Sequence, residues 1–121
     1  MYKRQQLYLQ KGYYGGKRYF KKETFDKFNK RYYSDKKVRR GLGFDKPQLD
    51  PESKATCGCV SDESFGHSGF TGAFTWADPE SGILYVFLSN RVFPTMENTG
   101  LVDEDIRTKI QQIIQDAILP E

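Results

Sequence analysis

Long apolar runs are missing from this 121-residue chain: the longest, Ile83 to Leu88, is six residues, where a helix that spans a bilayer needs roughly 18 to 20. The start Met1-Tyr2-Lys3-Arg4 leads into no apolar signal-peptide core, so the expectation is a soluble chain without an export signal. Histidine occurs once, at His67, and cysteine twice, at Cys57 and Cys59. Those are too few soft ligands for a four-ligand structural zinc site, and no metal or cofactor is expected. Only Gly58 separates the two thiols. That spacing is tight for a structural disulfide, whose Cα atoms usually sit about 4.4–6.8 Å apart, so free thiols are expected ahead of a strained or intermolecular bridge. The chain is also too short for a large multidomain enzyme, since single domains cluster near roughly 100–150 residues.

What is present in quantity is aromatic and basic. Nine Phe and eight Tyr give enough apolar side chain for a modest core, which argues against general disorder. The net charge of +3 conceals a division: residues 1–40 hold fourteen Lys or Arg against Glu23, Asp26 and Asp35, whereas residues 41–121 hold five basic and thirteen acidic residues. Tyr13-Tyr14, Lys17-Arg18-Tyr19-Phe20 and Lys30-Arg31-Tyr32-Tyr33 interleave charge with rings, a composition that suits phosphate contact and base stacking. Basic stems also cover apolar surface while their charges stay wet, and the basic part can face the acidic part within one fold. Nucleic acid is therefore the weaker reading of the basic segment.

The pattern along the chain predicts an α+β fold. A short helix is expected over residues 2–10, ending near Lys11-Gly12, then a Gly15-Gly16 turn into an extended piece from Lys17 to Phe20. Thr24 is read as opening a second helix with Phe25, Phe28 and Tyr32 on one face, ending by Ser34-Asp35. Residues 41–64, with Pro47 and Pro51, read as a long irregular loop, extended at most from Gly41 to Phe44. An antiparallel hairpin is expected from 67–77 and 83–90 around Asp78-Pro79-Glu80-Ser81-Gly82. The near-continuous apolarity of its second strand predicts a central strand buried on both faces. A C-terminal amphipathic helix is expected to cover the sheet, with Asp103 as N-cap and Ile106, Ile110, Ile113, Ile114 and Ala117 on its apolar face. Leu101, Ile118 and Leu119 stand at its ends, and Pro120 stops it. The organisation is a basic helix-turn-strand-helix segment over 1–40, the loop over 41–64, and the hairpin plus helix over 65–119, all one incomplete domain.

Chemistry concentrates in Gly66-His67-Ser68-Gly69-Phe70-Thr71-Gly72. A strand end of this kind offers an imidazole, a hydroxyl and backbone N–H groups to an anionic or acyl ligand. Neighbours on a strand point to opposite faces, so His67 and Ser68 do not form an internal Ser-His-acid triad. This segment, followed by Thr75-Trp76-Ala77-Asp78-Pro79-Glu80 and Leu88-Ser89-Asn90-Arg91-Val92-Phe93-Pro94, resembles the C-terminal end of serine beta-lactamase-related hydrolases. That superfamily includes penicillin-binding proteins and class C-like esterases. Its best-matching branch carries Gly-His-Thr-Gly-Phe-Thr-Gly on the active-site strand, and some members of the branch are fused to an N-acetylglucosaminidase domain. Gly15-Gly16-Lys17-Arg18, Glu23-Thr24 and Gly41-Leu42-Gly43-Phe44-Asp45 fit the pattern upstream. The resemblance spans roughly residues 7–118 but only about the last third of a complete family domain.

The resemblance implies a partial beta-lactamase-like fold and maps the third active-site motif, Lys-Thr-Gly or His-Thr-Gly, onto His67, Ser68 and Gly69. His67 would organise proton transfer and the substrate carboxylate, Ser68 would offer its hydroxyl, and the N–H of Phe70 would supply half of an oxyanion hole. The family nucleophile lies in a Ser-x-x-Lys segment far upstream. Ser34-Asp35-Lys36-Lys37 matches that string literally but overlaps Tyr32-Tyr33-Ser34 in a solvated charge run, so it is not read as the nucleophile. The expectation is a fragment of an acyl-transferring hydrolase, inactive alone, whose parent acts on a small-molecule or peptide ester or amide. Complete family members are often exported to the bacterial periplasm or envelope. An exposed sheet edge would permit self-association. The competing reading is a small non-enzymatic module that binds nucleic acid or protein through its basic aromatic surface.

Overall fold

The computed structural model describes residues 2–118. Helix α1 (Tyr2–Leu9) leads through Lys11 and Gly12, both at positive φ, into the two-residue strands β1 (Tyr13–Tyr14) and β2 (Lys17–Arg18). Helix α2 (Lys22–Asn29) follows, then a single 3-10 turn at Ser34–Lys36. After the long loop come β3 (Phe65–Ser68), β4 (Phe74–Asp78), β5 (Ile83–Phe87), the short helix α3 (Gly100–Asp103) and α4 (Ile106–Ile118). The fold is mixed α and β with antiparallel sheets and a C-terminal helix, as the sequence predicts. Leu119 and Pro120 lie outside the described residues. No described helix is long and apolar enough to cross a membrane.

The sheet is antiparallel in the order β3-β4-β5. Its register sorts the side chains into two cores, because alternate residues on a strand face opposite ways. Phe65 and Ala77 join Phe25 of α2 on one face, with Tyr8, Phe44 and Leu84 packed against them. Phe74, Trp76 and Tyr85 occupy the other face, under Ile110 and Ile114 of α4. Each core is aromatic: Phe25 meets Phe65 edge-on at 5.1 Å, and Phe74 stacks on Trp76 at 5.6 Å.

Several local expectations change. The predicted strand 67–77 divides into β3 and β4, because Gly69 to Gly72 form a tight turn closed by Gly72 N–H to Gly69 O at 3.0 Å and Gly69 N–H to Ala73 O at 2.7 Å. The central strand is β4, not β5, which lies at the edge. Apolar continuity in β5 records that both its faces are covered, by α1 and α4, and says nothing about whether its edge is paired. Thr24 sits inside α2, whose N-cap is Lys21 without a side-chain cap bond. Phe25 is buried, whereas Phe28 and Tyr32 are exposed. Asp103 ends α3 instead of capping α4, and its carboxylate accepts the Thr99 hydroxyl at 2.6 Å.

The apolar stripe of α4 is only partly used. Ile110 and Ile114 reach the core, Ile113 and Ile118 are exposed, and the buried positions are Gln111 and Gln115. The loop at 56–60 covers that flank, and its backbone needs an acceptor: Gln111 Oε1 takes the Cys57 N–H at 3.1 Å. The expected free thiols are replaced by a Cys57–Cys59 disulfide. Gly58 at φ +76° folds the triplet back, which brings the Cα atoms to 5.2 Å, inside the ordinary range for a bridge.

The segment between the 3-10 turn and β3 is anchored by buried polar groups. Asp45 forms an isolated antiparallel bridge with Gly66, so the chain after Phe44 runs beside β3. Lys46 is 3% exposed and donates to Asn29 Oδ1 at 3.1 Å, while Asn29 donates to Glu63 O at 3.0 Å. Burial pushes the Lys46 ammonium down to about 8, with Arg31 adding to the effect and Glu63, Asp62 and Asp78 opposing it. The unfolded chain therefore binds more protons than the folded one between about pH 8 and 10.5, and stability rises with pH across that window. Relative to Lys46→Met, the parent protein is expected to gain about 2 kcal/mol between pH 7.5 and 9.5 in chemical denaturation. A pH-independent difference would contradict the burial of that charge.

Candidate functional site

The segment that carries the chemistry lies along the outer edge of β3, just past the bridge that Asp45 makes with Gly66, and around the turn into β4. Gly66 permits this placement: a Cβ there would stand 2.2 Å from Thr75 O and 2.3 Å from the Trp76 ring, so only a bare backbone lets β3 lie flush on β4. His67 then sits opposite Thr75 and is exposed, on the face of α1. Ser68 pairs with Phe74 on the face of α4 and is half-buried. The sheet separates the two side chains, as strand alternation requires.

His67 borders a cavity of about 260 Å³ with Arg4, Gln5 and Tyr8 of α1. Two buried polar atoms on this wall, Gln5 Oε1 and Thr75 Oγ1, have no hydrogen-bond partner among the described residues. Buried polar atoms of this kind are uncommon, because desolvation without a partner is unfavourable. The cavity therefore combines an imidazole, a guanidinium and two unmet polar atoms.

The turn beyond Ser68 is fixed through its carbonyls. Arg91 donates from Nε to Phe70 O at 3.0 Å and from its backbone N–H to Thr71 O at 2.9 Å. Ser89 Oγ donates to Thr71 O at 3.2 Å, and Arg107 reaches Gly72 O at 3.4 Å. The Arg91 guanidinium also lies over the Phe70 ring at 5.0 Å and donates to Met96 O and Asn98 O. The N–H groups of Phe70 and Thr71 meet no acceptor among the described residues. Gly69 and Gly72 differ in kind. Gly72 has φ +91°, and a Cβ there would stand 2.4 Å from Leu101. Gly69 has neither constraint, since its nearest neighbour to a Cβ would be Ala73 at an ordinary 3.6 Å. Packing at the turn does not require a glycine at 69.

Ser34, the literal Ser-x-x-Lys match, opens the exposed 3-10 turn, and its hydroxyl makes no hydrogen bond among the described residues. Sequence reasoning quoted Arg91 only as part of a motif and missed it as the residue that pins the turn. The available signal was that Arg91 is the sole Lys or Arg between Lys54 and Arg107, an isolated cation in an acidic half. Among the described residues no cluster of His, Cys, Asp and Glu fits a metal ion.

Residues 17–106, most of the chain, match the Beta-lactamase family model. No curated protein matches the chain. The chain belongs to the beta-lactamase family.

Proposed function

We propose that this chain supplies the strand side of a serine-hydrolase active site and carries no nucleophile of its own. The observation that bears most weight is the turn after β3. Arg91 ties back the Phe70 and Thr71 carbonyls while the Phe70 N–H meets no acceptor among the described residues, beside a Gly69 that packing does not require. A bare backbone next to a free, preoriented N–H is what close approach of an acyl oxygen needs, since donors aimed where negative charge develops stabilise the oxyanion. In this reading Phe70 gives half of the oxyanion hole, Gly69 gives room, His67 serves proton transfer and the substrate carboxylate, and Ser68 offers its hydroxyl. A serine outside this chain attacks an ester or amide carbonyl, the C–O or C–N bond breaks and the alcohol or amine leaves with the serine's proton, and water then hydrolyses the acyl-enzyme to the carboxylic acid and the free serine. The branch with His-Thr-Gly on this strand, sometimes fused to an N-acetylglucosaminidase domain, is the one the residues resemble best. The uncharged outer edge of β5, Ile83 to Phe87, is where a strand of the remaining domain would pair, or a second copy in its absence.

Two measurements test this reading. Incubation with a fluorescent serine-hydrolase phosphonate is expected to leave the intact mass unchanged, and a stoichiometric adduct lost on Ser34→Ala or Ser68→Ala would overturn it. Amide-resolved NMR titration with a hydrolysed β-lactam is expected to move the Phe70 and His67 signals first. A 67–72 turn that stays silent while other residues respond would refute the assigned roles.

A further inference from the structure

A second cleft, of about 500 Å³, opens between the end of α2 and the 46–63 segment of the loop, and shares no lining residue with the His67 cavity. Its walls carry five cations, Lys11, Lys22, Lys30, Arg31 and Lys46. Three carboxylates also line it, but two are already engaged: Asp26 accepts from Lys22 at 2.8 Å and Asp62 from Arg31 at 3.3 Å. Glu63 has no ion pair among the described residues.

The hydrogen-bond inventory is unbalanced toward donors. Arg31 donates from its two terminal nitrogens to Asp62 Oδ1 and Pro47 O, and its buried Nε has no acceptor among the described residues. Lys46 has three N–H donors and one acceptor among the described residues, Asn29 Oδ1, although the residue is almost wholly buried. Arg31 and Lys46 both line this cleft and both are short of acceptors, and a ligand that brings acceptors and negative charge together would answer them. Tetrahedral oxyanions do so, and charge-assisted bonds to Arg and Lys are the strong ones.

We propose that this cleft binds a small ligand bearing a phosphate or sulfate group, with Arg31 and Lys46 on the oxyanion and Lys11, Lys22 and Lys30 around it. The proposal is independent of the hydrolase reading. A concave site of this size fits a small ligand. The unpaired Glu63 opposes an anion, so its removal strengthens binding. Since an anion favours the charged form of Lys46, binding takes up protons and weakens as pH rises above 8.

The experiment is calorimetric titration of the whole chain with inorganic phosphate, pyrophosphate and sulfate, alongside a single-stranded oligonucleotide. Saturable one-to-one binding is expected, tightest for pyrophosphate, weakened about tenfold by Lys46→Gln and about threefold by Lys30→Gln, and tightened about threefold by Glu63→Gln. Lys30 and Glu63 are exposed, so those two variants decide the matter even if Lys46→Gln fails to fold. Absence of saturation at millimolar pyrophosphate overturns the proposal, as does affinity that neither exposed variant changes. Binding of the oligonucleotide without binding of any small anion also overturns it. Phosphate without sulfate, or the reverse, identifies which oxyanion the cleft serves.

Discussion

Gly66→Ala is expected to destabilise the protein by about 3 kcal/mol or more, at or beyond the upper end for overpacking a core. The new Cβ would lie 2.2 Å from Thr75 O and 2.3 and 2.7 Å from Trp76 ring carbons, and neither neighbour has room to move. Thr75 O belongs to the backbone of the central strand. The Trp76 ring is stacked on Phe74 at 5.6 Å, and its Nε1 donates at 3.0 Å to Ser64 Oγ, whose residue is fully buried. Relief thus means parting β3 from β4 or unstacking the core. Denaturant unfolding followed by the lone tryptophan measures the effect. Gly69→Ala, with an ordinary 3.6 Å environment, is the matched control and is expected to stay within about 0.5 kcal/mol. Equal midpoints for Gly66→Ala and the parent would refute the packing argument. The consequence for the site is direct: β3 carries His67 and leads into the Phe70 turn, so a displaced β3 also displaces the groups assigned to substrate.

The same pair of residues shows what the sequence makes legible. Trp76 and the aromatic, β-branched run around it announce a strand, and the sequence reading finds the hairpin of β4 and β5 with its Asp78-Pro79 turn. It does not separate β3 from β4, because Phe70 and Thr71 continue the strand composition through the turn, and the glycines at 69 and 72 also occur at bulges and close approaches. The reading of β5 as central fails for a different reason. Hydrophobicity reports coverage of faces, and the pairing of an edge leaves no mark on the side chains. Gly66 illustrates a third limit: its strictness depends on a residue ten positions away across the ladder, which local pattern does not contain.

Polar anchoring is the part least visible in sequence. Asp78 reads as a turn former, yet it is buried and accepts the Ser61 N–H at 2.9 Å, the Ser61 hydroxyl at 2.6 Å and the Glu80 N–H at 3.0 Å. It fastens the end of the long loop to the end of β4. Lys46 and Asp45, in a segment rich in proline and short of apolar residues, give no sign that they are among the most buried side chains. Lys46 is fixed by the side chain of Asn29 and Asp45 by a backbone bridge to Gly66, partners distant in sequence, and partner choice at such range is set by tertiary packing. The functional motif is legible as a string. That His67 and Ser68 face opposite ways follows from strand alternation. The free N–H at Phe70 does not, since it depends on Arg91 having taken the carbonyls of the turn.

Simultaneous replacement of Arg39 and Arg40 by glutamine is expected to cost about 3–5 kcal/mol, the range for stripping a buried charge of its partners. Asp45 is 1% exposed; Arg39 donates to its Oδ2 at 3.1 Å, and Arg40 Nε lies 2.6 Å from Oδ1 as an ion pair without hydrogen-bond geometry, which leaves Oδ1 without a hydrogen bond among the described residues. The two guanidinium groups are not buried to match: their side chains are 29% and 61% exposed. This asymmetry decides which deletion hurts. Asp45→Asn frees two cations that water can take up, so its effect is expected near 1–2 kcal/mol. Removing both arginines leaves the carboxylate in place, because its backbone is held to Gly66 in both directions, at 2.9 and 3.0 Å, and it has no route to solvent short of breaking that bridge. The triple variant, with Asp45→Asn added to the two arginine changes, is therefore expected to be more stable than the double. Chemical denaturation of the four proteins checks the ordering, and a double variant no less stable than Asp45→Asn would refute it. Asp45 pairs with Gly66, the residue before His67, so the cations at 39 and 40 act on the site through the edge of β3. They hold the bridging segment against the strand that carries the imidazole, and the basic charge there serves the fold whatever the remaining lysines bind.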